Sequence, residues 1–235
     1  MPYFLSKKNL ALNQEAQISG EEAAHILLSH RVKVGEKIKL QGPDGKRFLA
    51  EVVKASKKDV AVKVLESLVV PAEPAVEIVL FQAAVSEKAL DFIFQKGTEL
   101  GLSKIVLFNS ANVSAKLSKE QFAKKSGRWN KILNEAAKQS ERAKAPALEF
   151  ADDIFQLLAG FDKVILADIS GSPIKNLKIL TSCAVIIGPE GGFTAAEIQE
   201  FEALNNMQTV SLGPILLRAE TAALAIVAII RSWAI

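Results

Sequence analysis

Three stretches of this sequence combine residue types and spacings that chemistry can use. The first is AVIIGPEGGFTAAEIQEF, residues 184–201. An apolar strand-like run ends at Gly188, a Gly/Pro loop follows, and Thr194 with Glu197 has the Thr-x-x-Glu spacing of a helix capping box. A glycine loop between strand and helix lets a ligand approach the backbone closely, with helix N–H groups nearby. The loop has neither the Gly-Lys-Ser/Thr of a Walker loop nor a GxGxxG dinucleotide fingerprint. A tight turn that needs positive φ would show the same glycines, so the two readings stand side by side.

The second stretch, TVSLGPILLRAETAALAIVAIIRSW, ends a strand-like run at Gly213-Pro214 and opens a helix near Arg218-Ala-Glu220-Thr221. That helix is apolar nearly all round, which requires burial on several sides, in a core or a subunit interface. An arginine beside such a helix is costly unless it is paired or faces a charged ligand. A salt bridge to Glu220 and a ligand role are the two ways out. The third stretch is a helix from about Ser118 to Arg142, whose buried stripe is Phe122, Trp129, Ile132, Leu133, Ala136 and Ser140. Arg128, Glu135, Gln139 and Arg142 fall in one narrow stripe beside it at about 100° per residue. They suit the edge of a cleft, or simply a solvated border. Lys119, Lys124, Lys125, Lys131, Lys138 and Lys144 on and just beyond this helix suit phosphate contacts.

Two styles of sequence must position these residues. In residues 1–70, EEAAHILLSH reads as a short helix, and EKIKLQ, RFLAEVVKA and DVAVKVLES as strands of a small, mostly antiparallel sheet or barrel. VVPAEPAVE, with Pro71 and Pro74, reads as a linker. From residue 75 onward the apolar runs VEIVLFQA, KIVLF, KVILA, AVIIG and TVSLG alternate with helical patterns. That alternation implies an α/β domain with a parallel sheet covered on both faces. Its first helix starts near Ser86, presents Leu90, Ile93, Gly97 and Leu100 on one face, and uses Gly101 as its C-cap.

Composition narrows the function classes. The 235 residues are 49% hydrophobic and 23% charged, which excludes a mainly disordered chain. The single cysteine, Cys183, excludes an intramolecular disulfide and a cysteine zinc cluster, and reads as inert core. With only His25 and His30 beside it, no metal site is expected. No apolar run reaches the roughly 18–20 residues of a bilayer span, and no signal peptide is visible, so a soluble cytoplasmic protein is expected. The formal charge of +3 is uneven: residues 1–70 hold 12 Lys and Arg against 8 Asp and Glu, the remainder 17 against 18. A polyanion partner for the first part is the modest inference.

Taken together, the motifs resemble one family. Lys96-Gly-Thr98-Glu99-Leu100-Gly101, Arg128-Trp129 with Glu135-Ala136 and Gln139-Ser140-Glu-Arg142, Ile187-Gly188-Pro189-Glu190-Gly191-Gly192-Phe193, and Leu212-Gly213-Pro214 with Leu217-Arg218-Ala-Glu220-Thr221-Ala222 resemble the RsmE-type 16S rRNA uridine-N3 methyltransferases of the SPOUT class. The resemblance extends to His25 and Arg31-Val-Lys-Val-Gly35. It implies a PUA-like RNA-binding β-barrel over residues 1–70 and, over 71–235, a SPOUT α/β domain with a deep trefoil knot. It also implies a homodimer, S-adenosyl-L-methionine as cofactor, and 16S rRNA or the small ribosomal subunit as partner. The cofactor residues it implies are Leu166, Ile187, Gly188, Pro189, Glu190, Gly191, Gly192, Leu212, Gly213, Ile215, Leu216 and Leu217. The RNA-binding residues it implies are Arg31, Lys33, Arg128, Gln139 and Arg142. The chain departs from the family at Ile215, where a second arginine is common, at Gly97, where alanine is usual, and at Tyr3, where a basic residue is common.

The resemblance gives the residues a reaction. A uridine N3 sits between two carbonyls and holds its proton at neutral pH, so it is nucleophilic only as the anion. An arginine at the carbonyl oxygens would stabilise that anion as an oxyanion hole does. Arg218 is the first choice and Arg142 the second, while Glu190 would orient the cofactor or accept the proton. The base is left open. Two rival readings are a SPOUT ribose 2′-O-methyltransferase and a non-catalytic RNA-binding ribosome-assembly factor.

Overall fold

The apolar alternation of residues 37–68 folds into three antiparallel strands, β3 (Lys37–Gln41), β4 (Arg47–Ala55) and β5 (Asp59–Leu68), in the computed structural model of the chain. The structure describes residues 3–56, 58–174 and 181–233. Two shorter strands precede these three: β1 (Tyr3–Leu5), parallel to β3, and β2 (Glu15–Ser19), antiparallel to β5. The sheet order is β1-β3-β4-β5-β2. Every second side chain points inward, so Ile38, Leu40, Ala50, Val52, Val60, Val62 and Val64 form one core with Phe4, Ile18 and Ile26. The helix read over residues 21–30 is one α turn, α1 (Glu21–Ala24), running into a π turn over His25–Ser29.

Residues 1–72 cluster with residues 137–144 as one unit, and residues 73–136 with 145–235 form the other. The shared segment follows from where the long helix stops. α3 spans Lys119–Gln139, three residues short of the expected Arg142. Glu141 turns left-handed at φ 56°, while the Arg142 N–H donates to Ala137 O and the Glu141 N–H to Lys138 O. This is a Schellman-type stop that uses a glutamate where glycine is usual. Beyond it, Arg47 is 2% exposed, lies over the Tyr3 ring, and donates to the carbonyls of Glu141 and Arg142. Lys39 pairs with Glu141, and buried Lys138 with Glu22. Tyr3 supplies both the ring beneath Arg47 and a hydroxyl donating to Arg142 O at 3.0 Å.

The second unit is a six-stranded parallel sheet in the order β11-β9-β10-β6-β7-β8. Its strands are β6 (Glu77–Ala83), β7 (Lys104–Phe108), β8 (Ala147–Phe150), β9 (Lys163–Pro173), β10 (Ser182–Ile187) and β11 (Met207–Ser211), and five of them are the apolar runs singled out above. One face packs on α2 (Glu87–Glu99), α3 and α6 (Ala219–Trp233) through Leu90, Ile93, Trp129, Leu133, Ala223 and Ile226. The other packs on α4 (Phe155–Leu158) and α5 (Ala195–Glu202) through Leu158 and Phe201. Buried on both faces, the central strands β6, β7 and β10 are almost continuously apolar, as a parallel sheet requires.

Ser86 caps α2, and its hydroxyl accepts from the Ala89 N–H. At the other end Gly101 turns left-handed at φ 86°. The Arg231 guanidinium, from the last turn of α6, donates to the carbonyls of Gly101 at 2.7 Å and Val76 at 3.0 Å, and binds Leu100 O as well. A Cβ on Gly97 would lie 2.6 Å from Leu102 Cδ1, so Leu102 fills the space that an alanine methyl would take. Cys183 is fully buried and burial pushes its thiol up to about 12, so it is unreactive core.

The chain itself supplies only part of the burial expected for α6. Ala219, Ala223, Ile226, Val227 and Ile230 are buried, but Ala228 is exposed and Leu224, Ala225 and Ile229 only half-buried. Within one chain the helix is covered on one side, not on several.

Candidate active site

A cavity of about 450 Å³ lies at the C-terminal ends of β9, β10 and β11. Ligands of open α/β sheets bind at this end of the strands. Three loops make it. The first leaves β9, whose pairing with β11 runs to Leu166↔Thr209 and resumes at Ser172↔Val210, so that residues 167–171 are looped out. Ala167, Asp168 and Ile169 from this excursion form one wall. Asp168 shapes it by accepting from the Ser170 N–H at 2.8 Å and the Ser170 hydroxyl at 2.6 Å. Gly171 lets the chain return, since a Cβ there would lie 2.6 Å from the backbone of Val210.

The second loop is the glycine loop after β10. Ile187, Gly188, Pro189, Glu190, Gly191 and Gly192 all line the cavity, with Glu190 exposed. Gly192 sits at φ 67° and its N–H donates to Pro189 O. A Cβ on Gly188 would meet the Phe193 ring at 3.0 Å, and one on Gly191 would meet Asn112 at 3.1 Å. Gly192 thus serves the positive-φ turn, while Gly188 and Gly191 leave room for Phe193 and Asn112 to pack against the loop. Behind the loop the capping box is formed in full. Glu197 accepts from the Thr194 N–H and hydroxyl at 2.8 Å, and its other oxygen accepts from the Ala111 N–H at 2.8 Å. Burial alone would raise the Glu197 carboxyl, but these hydrogen bonds outweigh it and hold the group below its ordinary range. Asn112 Nδ2 reaches the carbonyls of Gly191 and Gly192, tying the loop to the chain that follows β7.

The third loop runs from Leu212 to Leu217 and carries Gly213 at φ 116°. Leu212, Gly213, Ile215, Leu216 and Leu217 line the cavity; Ile215 and Leu216 are exposed at 76% and 80%. Large apolar side chains held this open form a surface for an apolar or aromatic group. Leu166, in contrast, turns its side chain into the core beneath α4 and α5, and the wall begins one residue later.

Arg218 stands at the mouth, where the loop becomes α6. It is exposed, which corrects the expectation of a buried charge, and it forms no ion pair with Glu220. The other candidate residues are placed elsewhere. Arg128 is bound by Asp91 at 2.7 Å and Glu87 at 3.2 Å, which fastens α3 to α2. Lys119 pairs with Asp152, Lys125 with Glu87, and buried Lys138 with Glu22, so these three lysines are engaged within the chain rather than held open for phosphate. Arg142 and Gln139 belong to the first unit and do not line the cavity; Gln139 ends α3, and the turn at Glu141 separates Arg142 from the helix stripe. Arg31 and Lys33 are exposed after the π turn, Arg31 left-handed at φ 52° and the Lys33 N–H bound to Glu36.

Sequence reasoning missed Asp168, Ile169 and Asn112. For Asp168 a signal existed: Asp-x-Ser-Gly straight after an apolar run is turn chemistry. Asn112 carries no such signal, because it acts across 79 positions of chain on Gly191.

The fold and site have known counterparts. A family model described as an RNA methyltransferase domain matches residues 72–231, and one described as an RNA methyltransferase PUA domain matches residues 18–65. Ribosomal RNA small subunit methyltransferase E of Bacillus subtilis is 32% identical over 233 residues, covering 94% of this chain and 91% of that protein. Its namesake in Mesomycoplasma hyopneumoniae is 35% identical over 181 residues, covering 75% and 78%. Among solved structures, a methyltransferase of Legionella pneumophila in complex with the cofactor SAM superposes with a TM-score of 0.87 at 29% identity, over 98% of this chain and 96% of that one. The ribosomal RNA small subunit methyltransferase E of Neisseria gonorrhoeae, bound to S-adenosyl methionine, gives 0.85 at 29% identity, over 99% and 97%. By the extent of these matches, this chain belongs to the ribosomal RNA small subunit methyltransferase E family of RNA methyltransferases.

Proposed function

We propose that this chain methylates N3 of a uridine in 16S ribosomal RNA, using S-adenosyl-L-methionine held by the three loops. The observation that carries the reading is the cavity itself. Its volume suits one small ligand, the glycine loop forms one of its walls, and an arginine that makes no ion pair among the described residues stands at its mouth. The residues fit the cofactor. Leu212, Ile215, Leu216 and Leu217 offer an apolar bed for an adenine, and the carboxylates of Asp168 and Glu190 suit ribose hydroxyls or an ammonium group. The bound cofactor supplies an electrophilic methyl group on a sulfonium.

The chain's own part is positioning and electrostatics. Arg218 is placed to hold the uracil carbonyl oxygens as N3 loses its proton, so that the anion forms against a fixed positive charge. Glu190 orients the cofactor in this scheme. Proximity supplies the rest of the barrier lowering.

Further parts of the reading come from the family. Residues 1–70 serve as the PUA-like RNA-binding module, with Arg31 and Lys33 exposed for phosphate contact, and residues 71–235 as the SPOUT module. The trefoil knot rests on the family resemblance alone. The half-exposed apolar side of α6 supports a homodimer. Among the described residues no helix is long and apolar enough to cross a membrane, which agrees with work on ribosomal RNA in the cytoplasm. Calorimetry with S-adenosylmethionine tests the site: one site per chain is expected, weakened by Gly191→Val. An absence of binding heat across temperatures overturns the reading in favour of a pure RNA-binding factor.

A further inference from the structure

Residues 25–34 of the first unit break several local rules at once. The chain leaves α1 through the π turn over His25–Ser29, closed by the His30 N–H donating to His25 O at 3.2 Å. Such turns are rare and gather at functional sites. Arg31 then turns left-handed at φ 52°, a conformation that crowds an ordinary side chain and that glycine adopts freely. The segment is nevertheless firmly held. Ile26 and Val32 are buried in the core of the unit, the Val32 N–H donates to Ile26 O at 3.2 Å, and the Gly35 N–H donates to Val52 O at 2.8 Å. Apolar and basic groups alternate on its outer side. Leu28 is 76% and Val34 59% exposed, with Arg31 and Lys33 exposed beside them. The i→i+5 repeat of the π turn also brings His25 and His30 together, half-buried, with ring centroids 4.9 Å apart. Both stand edge-on to the buried Phe4 ring, at 5.7 and 5.2 Å. Of the carboxylates nearby in sequence, Glu22 is paired with Lys138 and Glu36 accepts the Lys33 N–H at 3.0 Å.

Resting on the ribosomal RNA reading above, we infer that residues 25–34 form a nucleotide-binding edge of the first unit, with one unpaired RNA nucleotide stacked on the His25–His30 pair. Imidazole rings take the face of a splayed-out base, and cations close by take its phosphates. Leu28 borders the base, Arg31 offers its fork to one phosphate, and Lys33 meets the next. The left-handed backbone at Arg31 thereby gains a reason. Glycine would ease the turn but would leave no guanidinium at the phosphate. The edge is one for single-stranded RNA, since a duplex keeps its bases stacked on one another and offers phosphates alone.

The test measures binding of the full-length protein to small ribosomal subunits lacking the modification, by filter binding without cofactor over a range of salt. His30→Ala should weaken binding roughly 10-fold, the scale of losing one base stack, with an unchanged slope of log affinity against log salt. His30→Phe should restore it. Arg31→Gly should keep the parent's melting temperature, because glycine suits the left-handed turn, yet weaken binding and lower the salt slope by close to one. Affinity for S-adenosylmethionine should match the parent in all three. Unchanged binding in folded His30→Ala, or a loss that His30→Phe does not restore, overturns the edge. A loss in His30→Ala that follows its melting temperature overturns it in favour of a histidine pair that only packs. Should His30→Ala fail to fold, H30W decides: single-stranded oligouridine should quench the new indole, and an absence of quenching overturns the edge. A parent that binds subunits but transfers no methyl group fails the functional reading alone. Normal methyl transfer by the parent, with unaltered binding in the variants, overturns the nucleotide edge alone.

Discussion

At the residue scale, the role of Arg218 is open to a clean experiment. Its guanidinium is exposed and forms no ion pair among the described residues, so its removal leaves no orphaned charge behind. Arg218→Ala should therefore keep its melting temperature and cofactor affinity while the single-turnover rate falls by about 10²–10³. Arg218→Lys should recover little of it, because an ammonium cannot reproduce a planar two-donor fork. A fall in melting temperature that parallels the loss of activity would contradict the assignment. Glu197 makes a prediction in pH. Hydrogen bonds hold its folded carboxyl below the ordinary value of 4.5, so the unfolded state binds the proton more tightly. The stability this adds is full above that value and is lost as pH falls through the depressed folded value. Glu197→Ala should cost about 1 kcal/mol near neutral pH, and chemical denaturation should show the gap to the parent closing in acid. A gap that stays constant down to low pH would contradict the hydrogen-bond account.

At the element scale, the looped-out segment of β9 depends on one glycine. A Cβ at position 171 would lie 2.6–2.8 Å from backbone atoms of Thr209 and Val210, and backbone cannot move aside as a side chain tip can. Gly171→Ala should cost about 2 kcal/mol or more and weaken cofactor binding, read by thermal melting and calorimetry. An unperturbed melting curve would show that the excursion tolerates a side chain. This scale also marks how far the sequence could be read. Apolar runs bounded by turn residues located β6, β7, β9, β10 and β11, and Thr194 with Glu197 located the start of α5, because strand length and capping are local properties. The stop of α3 was not legible. Nothing in the helical pattern distinguishes Glu141 as a left-handed residue, and the carbonyls it exposes are taken up by Arg47, 94 positions away. A stripe from Arg128 to Arg142 needs a helix that continues past Gln139, where α3 ends. Similarly, the side chain of Leu166 faces the core while the cavity wall starts at Ala167, since which face of β9 looks inward depends on strand neighbours remote in sequence.

At the scale of the whole molecule, the glycine loop was visible as a candidate site, but its two companion loops converge on it only through the sheet order. Motif resemblance supplied what local pattern does not carry. The uncovered side of α6 calls for a partner, and light scattering should give about twice the 25.4 kDa chain mass. A monomer at micromolar concentration would remove the dimer from the account. The charge excess in residues 1–70 predicts that affinity for the small subunit falls steeply with salt, by close to one log unit per log unit of salt for each phosphate contacted. A flat response would leave Arg31 and Lys33 without a phosphate role. The central claim is the identity of the methylated atom. Small ribosomal subunits lacking the modification, incubated with the protein and S-adenosylmethionine, digested to nucleosides and resolved by mass spectrometry against standards, should yield N3-methyluridine. The appearance of 2′-O-methylated nucleoside instead, or of no methylated product, would contradict it.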